Sequence, residues 1–427
     1  MSSVSDVFTT IEDVRQQDYV LASYYLELDP AIDILDKAVG FAVGQTLGTW
    51  VEVPGVTDEM RARHRGKMVK VLALPPVDLS SQEDGPTRSY LIQIALPTIN
   101  FGAEFPQLLT TLLGNDASTS VQAKLVDLEL PDSYLAQFPG PQFGIDGLRE
   151  LSGVRERPLL LNMIKPCTGL APSDAAAIFY ETALGGVDFI KDDELLGSPS
   201  YSPVTERVRE FTKAATAAAQ VTGTETIYIP NITTRPDHLL DNARAAVDAG
   251  ARAVMVSFAS VGYGMLQALA ETVGVPILGH YASAGMFYEG PRSGMSSTVA
   301  LGLLPRLAGA DLVMLNTPYG GYPMAHHQYI VTALSLSAAR PHLKPAMPIM
   351  GGGVHPGMVG TFVRELGPDI MLAAGGAVQG HPDGASAGVR AMRAAAEAAV
   401  AGRDVRDAAA EHPELATALD LWGVHQP

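Results

Sequence analysis

The chain has 427 residues, enough for two or three domains, and at 47% hydrophobic and 18% charged it has an ordinary globular composition. Its net charge of -17 argues against nucleic acid and anionic membrane as partners, so a phosphorylated ligand must be held by a local site against the overall field. A single cysteine, Cys167, excludes an internal disulfide; residues 1–11 lack the basic and apolar regions of a signal peptide, and no apolar run is long enough to span a bilayer, so a cytoplasmic protein is expected.

Residues 18–28 are rich in β-formers and predict a strand. Residues 30–43 predict a helix, with Asp29 as its N-cap and Pro30 at the first helical position. Strands are predicted at 68–74 and 88–96, a helix at 105–113 and a further strand at 120–130. The Pro/Gly-rich and charged stretch 139–158 reads as a linker. After it, apolar strands alternate with amphipathic, alanine-rich helices. Eight strands fall at 159–164, 187–190, 226–230, 253–258, 275–279, 311–315, 347–350 and 369–373. Helices between them include 173–184, 204–221, 235–249 and 298–307. The expected fold is α/β: an N-terminal α+β (ferredoxin-like) domain over 1–145, then a (β/α)8 TIM barrel over 146–427, close to the usual ~250 residues of such barrels. An open doubly wound sheet is the alternative.

In a barrel of this kind the site is built at the C-terminal ends of the strands. Here those ends carry Lys165, Lys191-Asp192-Asp193-Glu194, Asn231, Ser257, His280, Asn316, Gly351-Gly352-Gly353 and Gly375-Gly376. Carboxylates at a strand mouth suit a hard cation such as Mg²⁺. The lysine among them is either a counter-ion or an amine that has gained an acidic oxygen by reacting with CO₂. Glycines after strands seven and eight let backbone amides approach a phosphate. Lys165, held near a cation, can act as acid or base. His280 is as readily structural as catalytic, and nothing marks Cys167 as a nucleophile. Adjacent residues on a helix point about 100° apart, so His326-His327 reads as structural rather than as a metal pair.

These motifs, in this order, resemble the ribulose-bisphosphate carboxylase/oxygenase large subunit, and more closely the RuBisCO-like proteins of form IV. The resemblance runs from Gly48-Thr49-Trp50 to Gly380-His381-Pro382 and is carried by Ile164-Lys165-Pro166, the stretch from Gly185 to Glu194, and Gly375-Gly376. It implies a CO₂-derived carbamate on Lys191 that holds Mg²⁺ with Asp193 and Glu194. It implies Lys165 as the acid/base beside an enolate and His280 on substrate hydroxyls. It implies a phosphate on Gly353, Gly375 and Gly376, helped by Thr49 and Trp50. Those two and Asn115 come from the other subunit in the family, which implies a homodimer with shared sites.

The departures narrow the reaction. The loop after strand six, Asn316 to Pro323, has no lysine to stabilise a carboxylated intermediate. Gly44 replaces the glutamate that partners that lysine, and Cys167 replaces the second lysine of a Lys-Pro-Lys motif. Tyr281, Met314 and Gly351 stand where a bisphosphate enzyme has arginine, histidine and serine. The expectation is Mg²⁺-dependent enolisation or isomerisation of a small keto-sugar monophosphate without productive CO₂ fixation. Decarboxylation of a β-keto sugar-acid phosphate (3-oxo-isoapionate-phosphate type) is the close alternative. A non-catalytic regulatory relic and a Schiff-base aldolase using Lys165 or Lys191 are the competing classes; the presence of Lys165, Lys191, Asp193 and Glu194 together weighs against the first, and the acids immediately after Lys191 against the second.

Overall fold

The computed structural model describes residues 4–48, 53–79, 85–120 and 122–425. Thr49 and Trp50 lie outside the described residues. The chain divides into two compact units, Met1–Phe138 with Ala284–Ala300, and Pro139–Ser283 with Leu301–Pro427.

The first unit holds strands β1 (Tyr19–Leu28), β2 (Lys67–Leu74), β3 (Arg88–Pro97) and β4 (Lys124–Glu129) in the order β2-β3-β1-β4, with every neighbouring pair antiparallel. With helices Ile34–Gly44 and Phe105–Leu112 this is the split βαβ, ferredoxin-like arrangement. The first helix begins later than expected. Asp33 is its N-cap, because its carboxylate takes two free amides, those of Leu35 (2.7 Å) and Asp36 (3.3 Å). Asp29 closes only a local turn onto the Ala31 amide. β4 is also shorter than 120–130, because residues Asp116–Ser120 wind into a π-turn before it. That turn brings Asp116 against Gly44: a Cβ at Gly44 would lie 2.0 Å from Asp116 Oδ2. The space a side chain at 44 would need is filled by another carboxylate. The segment Ala284–Ala300 adds to this unit through a Leu125–Met295 bridge, and Lys124 Nζ donates to the carbonyls of Tyr288 (2.8 Å) and Gly290 (2.7 Å).

The second unit contains eight parallel strands: β5 (Leu159–Met163), β6 (Phe189–Lys191), β7 (Ile227–Ile229), β8 (Val254–Ser257), β9 (Ile277–His280), β10 (Leu312–Asn316), β11 (Met347–Gly351) and β12 (Met371–Ala373). The sheet runs β7-β6-β5-β12-β11-β10-β9-β8, and an Asn231–Met255 bridge joins its two ends. It is a closed barrel, and the open doubly wound sheet is excluded.

The stretch 139–158 is more than a linker. It contains helix Gly144–Ser152, ended by Gly153 in the left-handed conformation. Ile145 and Leu148 of this helix join the barrel's interior cluster. Apolar residues amid charged ones hid this role, since the helix is amphipathic and only its buried face matters. Buried Asp311 fixes the helix start, accepting from the amides of Phe143 (2.7 Å) and Gly144 (2.8 Å) while also taking that of Ile277.

Candidate active site

Strand alternation aims the site. Within the barrel the inward residues are Leu159 and Leu161 on β5, Phe189 on β6, Ile227 and Ile229 on β7, Leu278 on β9, Met347 and Ile349 on β11, and Met371 and Ala373 on β12. Side chains alternate along a strand. Continuing each strand by its two-residue period carries the inward direction to Lys165, Lys191 and Asp193, Asn231, His280, Gly351 and Gly353, and Gly375. The core-forming pattern and the site pattern are the same period, with apolar residues below and polar residues or glycines at the rim.

Asp192, between Lys191 and Asp193, points the other way. It is buried and takes hydrogen bonds from Tyr228 Oη (2.6 Å), Arg207 Nη2 (3.0 Å) and the Asn231 amide (2.8 Å). Arg207 is fully buried and also donates to the carbonyls of Ser202 and Gly197. Asn231 Nδ2 reaches the carbonyls of Asp193 (3.3 Å) and Glu194 (3.2 Å). The outward carboxylate thus anchors the turn that presents the inward ones.

On the inner side, Lys165 Nζ donates to Asp193 Oδ2 at 2.6 Å and to Cys167 Sγ at 2.9 Å. Burial lowers the Lys165 pKa, but its bonds to Asp193 and Cys167 outweigh this and hold it above the ordinary lysine value. For Asp193, burial is likewise outweighed by the bonds from Lys165, Cys167 and the Leu195 amide, and its pKa falls to about 2. Lys191 has no exposed surface. Its Nζ donates to the Asp192 carbonyl at 2.9 Å and lies 3.9 Å from Glu194 Oε2. Burial pushes its pKa down further than Glu194, Asp193 and Asp192 raise it. His280 accepts the Ala282 amide on Nδ1 (3.1 Å), which leaves its proton on Nε2, 3.4 Å from Glu194 Oε2. Burial, helped by the Lys191 charge, keeps this imidazole well below its usual pKa and therefore neutral.

This donor set fits a hard divalent cation. Asp193 and Glu194 supply two carboxylates, and among the described residues no group of three or more acidic, histidine or cysteine side chains converges on a metal-sized space. A third oxygen donor must come from elsewhere. Lys191, a fully buried amine whose pKa is lowered by burial, lies beside these two acids, its Nζ 3.9 Å from Glu194 Oε2.

The glycine half of the mouth is built by close packing. A Cβ at Gly375 would lie 2.8 Å from Met163 Sδ and 3.7 Å from Lys165 Cε, so this backbone sits directly against the Lys165 side chain. Gly376 opens helix Gly376–Gln379 and faces open space. Gly353 has φ +95°, a conformation that favours glycine. Among the described residues, no backbone carbonyl accepts from the amides of Gly353 or Gly375. Gly351 leaves room for Met314, whose Cε would be 2.6 Å from a Cβ there, and Tyr281 packs on the same apolar cluster.

Of the sequence-predicted residues, the barrel brings together Lys165, Lys191, Asp193, Glu194 and His280, and places Gly375 against Lys165. Asn115 belongs to the first unit and is exposed there. His326 Nε2 lies 2.9 Å from Glu365 Oε1. Sequence reasoning missed the supporting set of Asp192, Arg207 and Tyr228, and no local signal marks it, since Arg207 reads as one more charged residue of an amphipathic helix.

Residues 8–134 match the family described as ribulose bisphosphate carboxylase large chain, N-terminal domain, and residues 144–422 match its catalytic domain. The chain is 40% identical over 415 residues to a ribulose bisphosphate carboxylase-like protein of Archaeoglobus fulgidus, covering 96% of this chain and 95% of that protein. It is 38% identical over 408 residues to a 2,3-diketo-5-methylthiopentyl-1-phosphate enolase of Geobacillus kaustophilus, covering 95% and 98%. Its fold matches the crystal structure of a rubisco-like protein (MtnW) from Alicyclobacillus acidocaldarius with a TM-score of 0.88 at 35% identity, covering 95% of this chain and all of that one (100%).

Proposed function

This chain belongs to the ribulose bisphosphate carboxylase large-chain family, and on that premise we propose that it is a Mg²⁺-dependent enolase of a small diketo- or keto-sugar monophosphate. It is an enzyme of the enolase type and not a productive carboxylase. The observation that carries the reading is the position of Lys165, 2.6 Å from Asp193 on one side and packed along Gly375 on the other. One side chain thereby stands between the cation-binding acids and the glycine phosphate cradle, where the carbon next to a substrate carbonyl must lie.

Lys191 as carbamate, Asp193 and Glu194 are the residues that hold Mg²⁺. Bound there, Mg²⁺ supplies a Lewis acid that stabilises negative charge growing on adjacent substrate oxygens. Lys165 holds the proton that moves to or from the carbon skeleton. Neutral His280, with its proton on Nε2, donates a hydrogen bond to a substrate oxygen and adds no charge. Gly353, Gly375 and Gly376 hold one phosphate through backbone amides. With Tyr281 and Met314 in place of charged donors, the site suits a substrate with one phosphate and an uncharged tail. That favours a methylthio-diketo phosphate, as in the name of the Geobacillus relative, over a β-keto sugar-acid phosphate.

The working form is a homodimer in the cytoplasm, with Asn115 of one copy completing the barrel of the other. Mixing Lys191→Ala and Asn115→Ala protomers restores part of the activity if the sites are shared; a fully active monomer by light scattering contradicts this.

Three incubations with Mg²⁺ and bicarbonate test the reaction. The expected result is enol formation from 2,3-diketo-5-methylthiopentyl-1-phosphate and no phosphoglycerate from ribulose bisphosphate with labelled CO₂. Release of CO₂ from a β-keto sugar-acid phosphate, with the diketone inert, replaces this reading by the decarboxylase. Phosphoglycerate formation removes it.

A further inference from the structure

We propose that Tyr319 is a positioning residue for the phosphate cradle, acting through its neighbour Gly320. This rests on the assignment of the glycine loops as that cradle. The loop after β10 is folded on itself: Met324 N donates to the Thr317 carbonyl at 3.2 Å, and Tyr319 N to Thr317 Oγ1 at 3.3 Å. From this loop the Tyr319 side chain leaves the rim. Its hydroxyl donates to Glu365 Oε1, the same oxygen that lies 2.9 Å from His326 Nε2. Its ring packs 5.7 Å from that of Phe362 and 4.4 Å from that of His425. Helices His326–Ser337 and Val359–Leu366 and the residues near 425 therefore all grip one tyrosine.

The next residue touches the cradle. A Cβ at Gly320 would lie 1.9 Å from the Gly352 carbonyl oxygen, and a Cβ at Gly353 would lie 3.9 Å from Gly320 Cα. Gly352 and Gly353 have φ +85° and +95° and carry no side chains of their own to fix them. The contact with Gly320 limits how their peptide groups can turn. Amides that hold a phosphate work only in one direction, so the anchor of Gly320 sets the quality of the cradle. Tyr319 is that anchor: a hydrogen bond to a carboxylate is among the stronger single links available.

Two variants test this, Tyr319→Phe, which keeps the ring and removes the hydroxyl, and Gly320→Ala, which leaves the Tyr319–Glu365 bond and pushes on Gly352. Affinity for inorganic phosphate is read by ³¹P NMR titration, with KM and kcat for the diketo phosphate measured beside it. Both variants are expected to bind phosphate about tenfold more weakly and to raise KM by a similar factor, while kcat changes by less than about twofold. Lys191→Ala is expected to keep the wild-type phosphate affinity. Wild-type affinity in both variants, or a fall in kcat with KM unchanged, overturns the role of Tyr319 and leaves the cradle standing. Weakening that only follows a lower thermal midpoint also overturns it, since a merely structural role predicts that. A wild-type protein that binds no phosphate removes the cradle and this inference together.

Discussion

The two halves of the barrel mouth are built by opposite means. After β6 the site is made of side chains, Lys191, Asp193 and Glu194, and their aim is fixed from behind by a buried carboxylate, Asp192, held by Arg207 and Tyr228. After β11 and β12 the site is made by leaving side chains out, and the backbone is fixed from the sides by Met163, Met314 and Gly320. The first half tolerates little change of charge, because each buried charge needs its partner. The second tolerates little change of volume. On the proposed function, catalytic chemistry belongs to the first half and phosphate grip to the second, so their failures are expected to differ: kcat for one, KM for the other.

The largest separation comes from Lys191→Ala. Turnover is expected to fall by about a thousandfold or more, because the proposed Mg²⁺ site would lose its third oxygen donor. The fold survives, since the lost group is a buried amine bonded to a carbonyl, and thermal unfolding should show a midpoint within a few degrees of wild type. Full activity in this variant, or after exhaustive EDTA treatment, breaks the assignment. Next, Lys165→Ala should cut kcat by about 10²–10⁴-fold, the range of a general acid/base, with KM nearly unchanged in steady-state kinetics. A rise in KM alone would move Lys165 to the binding half.

Asp192→Asn sharpens the comparison without touching the inner surface. It leaves Arg207 buried without its carboxylate and should destabilise the protein by about 3–5 kcal/mol in urea unfolding. A neutral result means that the outward network does not hold the turn. Gly375→Ala places a methyl 2.8 Å from Met163 Sδ. About 1–3 kcal/mol of overpacking should appear as roughly a tenfold higher KM with kcat less affected.

The smallest effect is a pH dependence. His280 titrates near 6.5 when unfolded and well below that when folded. Its contribution is therefore complete above about pH 6.5 and is lost as pH falls below it, because the unfolded chain then takes up a proton that the folded one refuses. The slope is about 1.4 kcal/mol per pH unit while the two states differ by one proton. Urea titrations at pH 7 and pH 5.5 should show a smaller acid loss in His280→Asn than in wild type. Equal losses would place the uptake at another group.

Much of this was legible in the sequence, for a common reason. The apolar runs 159–164 and 187–190 marked two barrel strands, and Lys165 and Lys191 follow directly where those runs stop, which is the rim of a barrel. Family motifs then supplied roles that periodicity could not. What stayed hidden depended on contacts distant in sequence. Arg207 looks like any helix-surface arginine until Asp192 turns outward to meet it. Nothing local marks residues 284–300 as part of the first unit, because their pairing partner, Leu125, lies about 170 residues earlier. Gly320 reads as a loop glycine, and its contact with Gly352 exists only once β10 and β11 lie side by side.

The most direct test of the central claim is solvent deuterium exchange, followed by NMR, at the carbon next to the carbonyl of 2,3-diketo-5-methylthiopentyl-1-phosphate in D₂O. The expected result is exchange that needs Mg²⁺, is promoted by bicarbonate and disappears in Lys191→Ala. Exchange that persists in Lys191→Ala or in EDTA, or no exchange in the wild type with Mg²⁺ and bicarbonate present, contradicts it.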